Sequence, residues 1–251
     1  MENVPDFYIL GLPIETSIGV MYPTLMENYP ALMRFMPIIQ LDKNDIVGSL
    51  INMAKENVEF QPLVDYIHSV TLFEFVITFT DDGYKGSFLH DIYIQYKKLF
   101  EFCFKEDVFD NIKTDEELES YVKLIKEVND IQYEKPNPNP DIARFDRLKR
   151  MMQEAKGESI SFEAMYSSVL LSSGIHPNKM TIYQFNKAFD RIGHFKNYDT
   201  TTLFKTVDAS GKQKIEPWYG TSKKEKPSVI TQEQLDKARE LQSKGGLQSE
   251  L

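Results

Sequence analysis

Met180-Thr181-Ile182-Tyr183-Gln184-Phe185, continuing through Phe189-Asp190-Arg191-Ile192 to Tyr198-Asp199-Thr200-Thr201-Thr202-Leu203-Phe204, carries every local signal of a helix start. Thr181 is placed to act as N-cap, its hydroxyl accepting from a free backbone N–H of the first turn. Gln184, three residues on, can reach back to complete a capping box, and Met180 and Phe185 flank the box at the hydrophobic-staple positions. Phe185, Phe189 and Ile192 then follow at helical spacing. A bend or break is expected near Gly193, with Leu203, Phe204 and Val207 on a further turn or short helix. The segment defines a structural unit and contains no catalytic chemistry.

The same signals recur on the N-terminal side. Ser161 can cap a helix stapled by Ile160 and Met165 and stopped at Gly174, and Ile142, Phe145, Leu148, Met151, Met152 and Ala155 mark a helix stopped at Gly157. Before it lies Glu134-Lys135-Pro136-Asn137-Pro138-Asn139-Pro140. Prolines at alternate positions favour an extended connector and exclude a continuous helix, while Asn139 can cap a new helix with Pro140 as its first residue.

Ahead of that connector, Leu41-Asp42 with Ile46 reads as a staple and N-cap opening a helix to about Glu56. A second helix is expected from about Pro62, with Leu63, Ile67, Val70, Phe73 and Ile77 as its spaced apolar positions, broken by Asp81-Asp82-Gly83. Phe88 to Phe104 fits helix and strand almost equally and is assigned helix for its length. Thr114 with Glu117 forms another capping box, followed by the stripe Leu118, Tyr121, Val122, Ile125 and Val128. In the first 40 residues, Pro5, Pro13, Pro23, Pro30 and Pro37 preclude long helices. There Phe7-Tyr8-Ile9-Leu10 and Ile18-Gly19-Val20-Met21-Tyr22 are expected to pair as a small hairpin around Pro13 to Ser17, in an arm that docks on its own domain. Asp208-Ala209-Ser210-Gly211 reads as a turn, and Thr231 with Gln234 signals a last short helix to about Ser243.

The expected fold is therefore mainly α: two small helical domains joined by a proline-rich linker, with an irregular N-terminal arm holding a short β-hairpin. The divisions are 1–40 for the arm, 41–135 and 136–220 for the domains, and 221–251 for a polar tail. There are no internal repeats and no sustained heptads.

Composition narrows the function. The net charge of −9 disfavours nucleic acid, because the best basic cluster, Arg144, Arg147, Lys149 and Arg150, is interleaved with Asp141, Asp146 and Glu154. Aromatic residues at 12% supply well-packed cores or contact surfaces. Cys103, the one cysteine, lies in Phe100-Glu101-Phe102-Cys103-Phe104 and reads as a buried, unreactive thiol. No signal core and no apolar run of membrane-spanning length is present, so no membrane partner is expected and the protein is expected in the cytoplasm where it is made.

Catalytic signatures are missing. No phosphate loop, dinucleotide fingerprint, nucleophile elbow, zinc-protease helix or calcium loop occurs, and no metal or cofactor site is expected. His68 reads as a core or boundary histidine, and His90, His176 and His194 as loop or surface residues. Asp81-Asp82 is most simply a turn, and Glu116-Glu117 complements a helix dipole. Trp218, in Ile215-Glu216-Pro217-Trp218-Tyr219-Gly220, is a lid residue or an interaction anchor.

Asn139-Pro140-Asp141-Ile142, the Met180–Phe185 and Phe189–Ile192 blocks, Tyr198-Asp199-Thr200-Thr201-Thr202-Leu203-Phe204 and Ile215-Glu216-Pro217-Trp218 together make the segment from Pro136 to Gly220 resemble proteins of tailed bacteriophages that infect low-GC Gram-positive hosts. Ile9-Leu10-Gly11-Leu12-Pro13 is a weaker match to the same group. The resemblance implies a tail or baseplate assembly factor, such as a tail assembly chaperone, and carries over no active-site residues. Binding without turnover is then expected, with the tape-measure protein or a baseplate component as partner; self-association into a homo-oligomer stays open. Retention in the virion as a baseplate or neck subunit, and a hydrolase with an unrecognised site, are the alternatives. The candidate partner-binding residues are Tyr183, Phe189, Tyr198, Phe204, Trp218 and Tyr219.

Overall fold

A computed structural model of the chain describes residues 6–80, 87–131 and 160–207, together with Leu148 and Ile215. The proline-rich connector, the helix expected over 142–155 with its basic cluster, the Asp81-Asp82-Gly83 and Asp208–Gly211 turns, and the final helix lie outside the described residues.

In the arm, α1 (Asp6–Leu10) ends at Gly11, whose φ of +68° is the left-handed conformation that closes a helix. A Cβ at Gly11 would meet Thr181 Cγ2 at 3.0 Å, so the position is sterically as well as conformationally reserved for glycine. The hairpin is present but displaced from the expected one: β1 (Ile14–Glu15) pairs antiparallel with β2 (Val20–Met21), Ile14 opposite Met21 and Glu15 opposite Val20. Phe7 to Leu10 is thus helical rather than a strand. Its pattern explains the correction, since Tyr8 alone of the four turns inward and is buried while Phe7, Ile9 and Leu10 stay exposed. The arm docks on its own chain. Tyr22 N donates to Cys103 O at 2.9 Å, and the Ser17 and Tyr121 hydroxyls share a 2.6 Å hydrogen bond. Two short helices, α2 (Tyr29–Met33) and α3 (Met36–Ile39), each take a proline in the first turn, where the missing N–H costs nothing.

Helix α4 (Lys43–Glu56) starts at the expected cap: Asp45 N donates to Asp42 Oδ1 at 2.9 Å and Asp42 N to Asp45 Oδ2 at 3.0 Å. The single helix expected from Pro62 to Ile77 is two, α5 (Gln61–Ser69) and α6 (Leu72–Thr78), parted at an extended Val70. A second capping box forces the break. Glu74 N donates to Thr71 Oγ1 at 3.2 Å and Thr71 N to Glu74 Oε2 at 2.8 Å. Asp115 Oδ1 accepts from Phe73 N at 2.8 Å, so the new helix start is satisfied from two directions.

Phe88 to Phe104 is helix, α7, and it is the central element: Tyr96, Leu99, Phe100, Cys103 and Phe104 are all buried. Phe109 packs on Tyr93, Tyr96 and Phe100, and Tyr121 meets the rings of Phe100 and Phe104 edge-on. Helix α8 (Asp115–Val128) is capped by Thr114, which accepts from Glu117 N at 3.2 Å; Glu117 itself reaches one residue further back, to Lys113 N at 2.8 Å. Ser161 caps α9 (Phe162–Ser173), which ends at Gly174 with φ +67°. Helix α10 (Ile182–Val207) runs through Gly193 without the expected break. A lone helical glycine costs about 1 kcal/mol relative to alanine, too little to end a helix of this length.

The chain divides into two compact units, Met1–Asn197 and Tyr198–Leu251. Of the second, Tyr198–Val207 is the end of α10. Within the first, the arm holds the helices together through backbone. Thr24 N donates to Asn129 Oδ1 at 3.1 Å, Ile182 N to Thr24 O at 2.9 Å, and Met26 N to Met180 O at 2.9 Å. Asn129 is buried, and its Nδ2 donates to Ile125 O at 2.8 Å.

Asn129→Ala removes both amide bonds and leaves buried backbone groups unpaired, so a loss of about 2–3 kcal/mol in urea unfolding is expected. Thr181→Ala, which removes one cap, is expected to cost about 1 kcal/mol in the same measurement.

Candidate functional site

Several ionisable groups among the described residues serve the fold. No group of three or more His, Cys, Asp or Glu among the described residues could hold a metal ion. His90, expected at the surface, is buried on α7 with Nδ1 2.8 Å from Phe79 O. His68, expected at the core boundary, is exposed. His176 is exposed and caps the 3-10 turn Pro177–Lys179, and His194 lies half-buried on α10. Glu116 and Glu117 sit in the first turn of α8 as expected. Lys97 lies between Asp107 at 2.9 Å and Asp110 at 3.4 Å, with the Tyr93 hydroxyl donating to Asp110 at 3.3 Å. Both aspartates are more than half open to solvent or close to it, so the cluster ties the 107–110 loop to α7 and contributes little more.

The sequence-derived partner residues divide by position along α10. Tyr183 is buried: its ring meets Tyr8 edge-on at 5.8 Å, and Lys187 Nζ lies 5.1 Å from its centroid while pairing with Asp130 at 3.0 Å. Phe189 is half-buried against the core. In the second unit Tyr198 is half-buried and Phe204 exposed. Trp218 and Tyr219 lie outside the described residues.

Two apolar surfaces were not foreseen. The first is the outer side of α9 and the turn after it. Val169, Leu170 and Leu171 are consecutive, and at 100° per residue three such side chains cannot all face inward. Val169 is fully buried, whereas Leu171 is 84% and the nearby Ile175 52% exposed. That run was the available signal.

The second is a groove of about 860 Å³ between α8, the α3–α4 turn and the α5–α6 junction. Ile39, Tyr96 and Leu118 form its floor; Leu41, Val70, Leu72 and Val122, all half-buried, form its walls. Asp115, Glu116 and Glu119 stand at one end of α8 and Lys123 and Lys126 toward the other. The trough is open and apolar-floored, with charges at its rim.

Residues 2–138 match the YomV N-terminal domain and residues 153–223 the YomV second domain. The chain belongs to the YomV family. It is 24% identical over 221 residues to the SPbeta prophage-derived protein YomV of Bacillus subtilis (strain 168), covering 87% of this chain and 88% of the relative. It is thus related to a prophage-derived protein of a low-GC Gram-positive bacterium. No solved structure matches it. No helix among the described residues is long and apolar enough to cross a membrane.

Cys103 supplies a test of this inert interior. Burial pushes its thiol up to about 12, whereas an unfolded thiol ionises near ~8.5. Above about pH 9 the unfolded chain loses a proton that the native chain keeps, so stability falls as pH rises, by about 1.4 kcal/mol per pH unit from this group. Urea midpoints between pH 8 and pH 11 are expected to fall steeply, and Cys103→Ala to flatten that slope while lowering the whole curve.

Proposed function

We propose that the chain is a non-catalytic assembly factor of a phage tail, which binds an apolar-faced tail protein, the tape-measure protein first, and keeps it soluble until assembly. Kinship to a prophage-derived protein supplies the viral setting. The observation that carries the reading is the outward apolar side of α9, with Leu171 84% exposed on a helix whose opposite side is already packed. Exposed apolar surface rimmed by polar residues marks a contact site. The net charge of −9 is suited to keeping a complex with an aggregating client in solution. This reading assigns the protein no turnover and no cofactor.

Co-expression tests it. The tape-measure protein of the same phage is expected to be insoluble alone and soluble with this chain. Leu171→Lys, a change at an exposed position that leaves the fold intact, is expected to cut the recovered soluble complex by about tenfold, the scale of removing one buried leucine from an interface. Equal solubility of the client with and without the chain would sink the proposal. Mass spectrometry of purified virions separates a chaperone, which is scarce there, from a baseplate or neck subunit present at stoichiometric level.

A further inference from the structure

The first family domain and the described start of the second, α9 with the beginning of α10, lie in one compact unit. The arm belongs to the first domain through its own bonds. Tyr22 N donates to Cys103 O at 2.9 Å, Thr24 N to Asn129 Oδ1 at 3.1 Å, and the Ser17 hydroxyl lies 2.6 Å from that of Tyr121. The next groups along the same stretch face the other way. Thr24 O accepts from Ile182 N and Met26 N donates to Met180 O, each at 2.9 Å, so Leu25 and Thr181 pair as a single antiparallel bridge. The seam therefore passes between the N–H and the carbonyl of Thr24. Ile182 N is a first-turn donor of α10, and the first domain supplies the acceptor that a helix start lacks. Around this bridge Tyr8 meets Tyr183 edge-on, Tyr29 stacks on Phe162 at 5.2 Å, and Gln184 Nε2 donates to Ile9 O.

One contact bypasses the arm. Lys187 Nζ, on α10, lies 3.0 and 3.1 Å from the two carboxylate oxygens of Asp130, just past the end of α8. Asp130 has a φ of +48°, and it closes α8 in a pattern usually given to glycine: Asp130 N donates to Glu127 O and Ile131 N to Lys126 O. Its side chain is only 13% exposed. Left-handed backbone and desolvation both oppose an aspartate there, and glycine would end the helix with neither cost. What the carboxylate adds is its hold on Lys187.

We propose that the Asp130–Lys187 pair is a latch: α9 and the start of α10 undock from the first domain as one body, leaving the arm behind, and this ion pair sets how often. The junction consists of a few backbone bonds, one amide contact, one ion pair and a few rings. Parts of a chain joined in this way open without unfolding the rest. The first domain keeps its aromatic core around α7, where Phe109 and Tyr121 pack on Tyr96 and Phe100, when the seam opens. Opening bares Tyr8, Met26 and Tyr29 on one side and Met180, Ile182 and Tyr183 on the other, all buried or half-buried in the docked form. The latch thus controls access to an apolar face that the docked surface hides, and it does so independently of the tail-assembly reading.

Hydrogen exchange of the full-length protein, read amide by amide by NMR, tests the latch. In wild type, Met26 and Ile182 are expected to exchange through an opening that leaves Tyr22, Thr24, Leu99 and Phe100 protected. Asp130→Gly suits the left-handed position, and Lys187→Met keeps the stem over the Tyr183 ring. Each is expected to lower protection at Met26 and Ile182 about tenfold relative to Tyr22 and Leu99, between the scales of exposed and buried ion pairs. The double variant is expected to fall no further than either single, because the same interaction is lost in all three. Raising salt to about 1 M is expected to lower the same two amides in wild type and to leave the double variant unchanged. Exchange of Met26 and Ile182 only together with Leu99 and Phe100 would overturn the proposal. So would loss of Tyr22 and Thr24 alongside them, since the arm would then be the moving part. Unchanged or uniformly lowered protection in the variants, or single effects that add in the double, would overturn it equally.

Discussion

The backbone of Thr24 to Met26 cannot be satisfied by its own neighbours, and the first unit is assembled around that fact. Thr24 N donates to the side chain of Asn129, Thr24 O accepts from Ile182 N, and Met26 N donates to Met180 O. Buried backbone groups need partners, so this extended stretch lies where the end of α8 and the start of α10 both reach it. Asn129 has one orientation available, because its Nδ2 is held by Ile125 O. Gln184 extends the same network: its Oε1 accepts from Thr181 N and its Nε2 donates to Ile9 O, tying the cap of α10 to the carbonyl end of α1. Caps, arm and helix ends are thus one cooperative set, in which removal of any member exposes the cost of the others.

This explains which features were legible in the sequence. The caps at Asp42, Thr114, Ser161 and Thr181 are local, three-residue arrangements, and each stands where the residues place it. The Thr71–Glu74 box is of the same kind but was masked by Val70, Phe73 and Ile77, which keep helical spacing across the break. The hairpin was misplaced because the helical cap at Gly11 depends on close approach to Thr181, some 170 residues away. His68 and His90 exchanged their expected environments for a related reason: which side of a helix is buried follows from what packs on it. Asn129 was invisible, since a polar residue after a helix reads as an ordinary C-cap until Thr24 is seen against it.

The candidate surfaces follow the same division. On α8 the stripe Leu118, Tyr121, Ile125 and Val128 is buried as periodicity demands, while Val122 falls at its edge and is only half-covered. One extra apolar residue beyond the core stripe made the groove wall, and nothing local distinguishes it from the core. On α10 the first turn of the likeness turns inward, with Tyr183 packed on Tyr8 and Phe185 buried near Phe162 and Tyr166, whereas Leu203 and Phe204 stay exposed. The start of α10 therefore encodes the assembly of the unit, and outward apolar side chains lie on α9 and, in the second unit, at the end of α10.

The groove is held open by the same economy of polar groups that shapes the arm. Lys43 fixes Val70 O and Asp115 fixes Phe73 N, so the α5–α6 junction is braced against both α4 and α8. Walls braced in this way lose little freedom when something enters, which is the condition under which a modest apolar contact yields useful affinity.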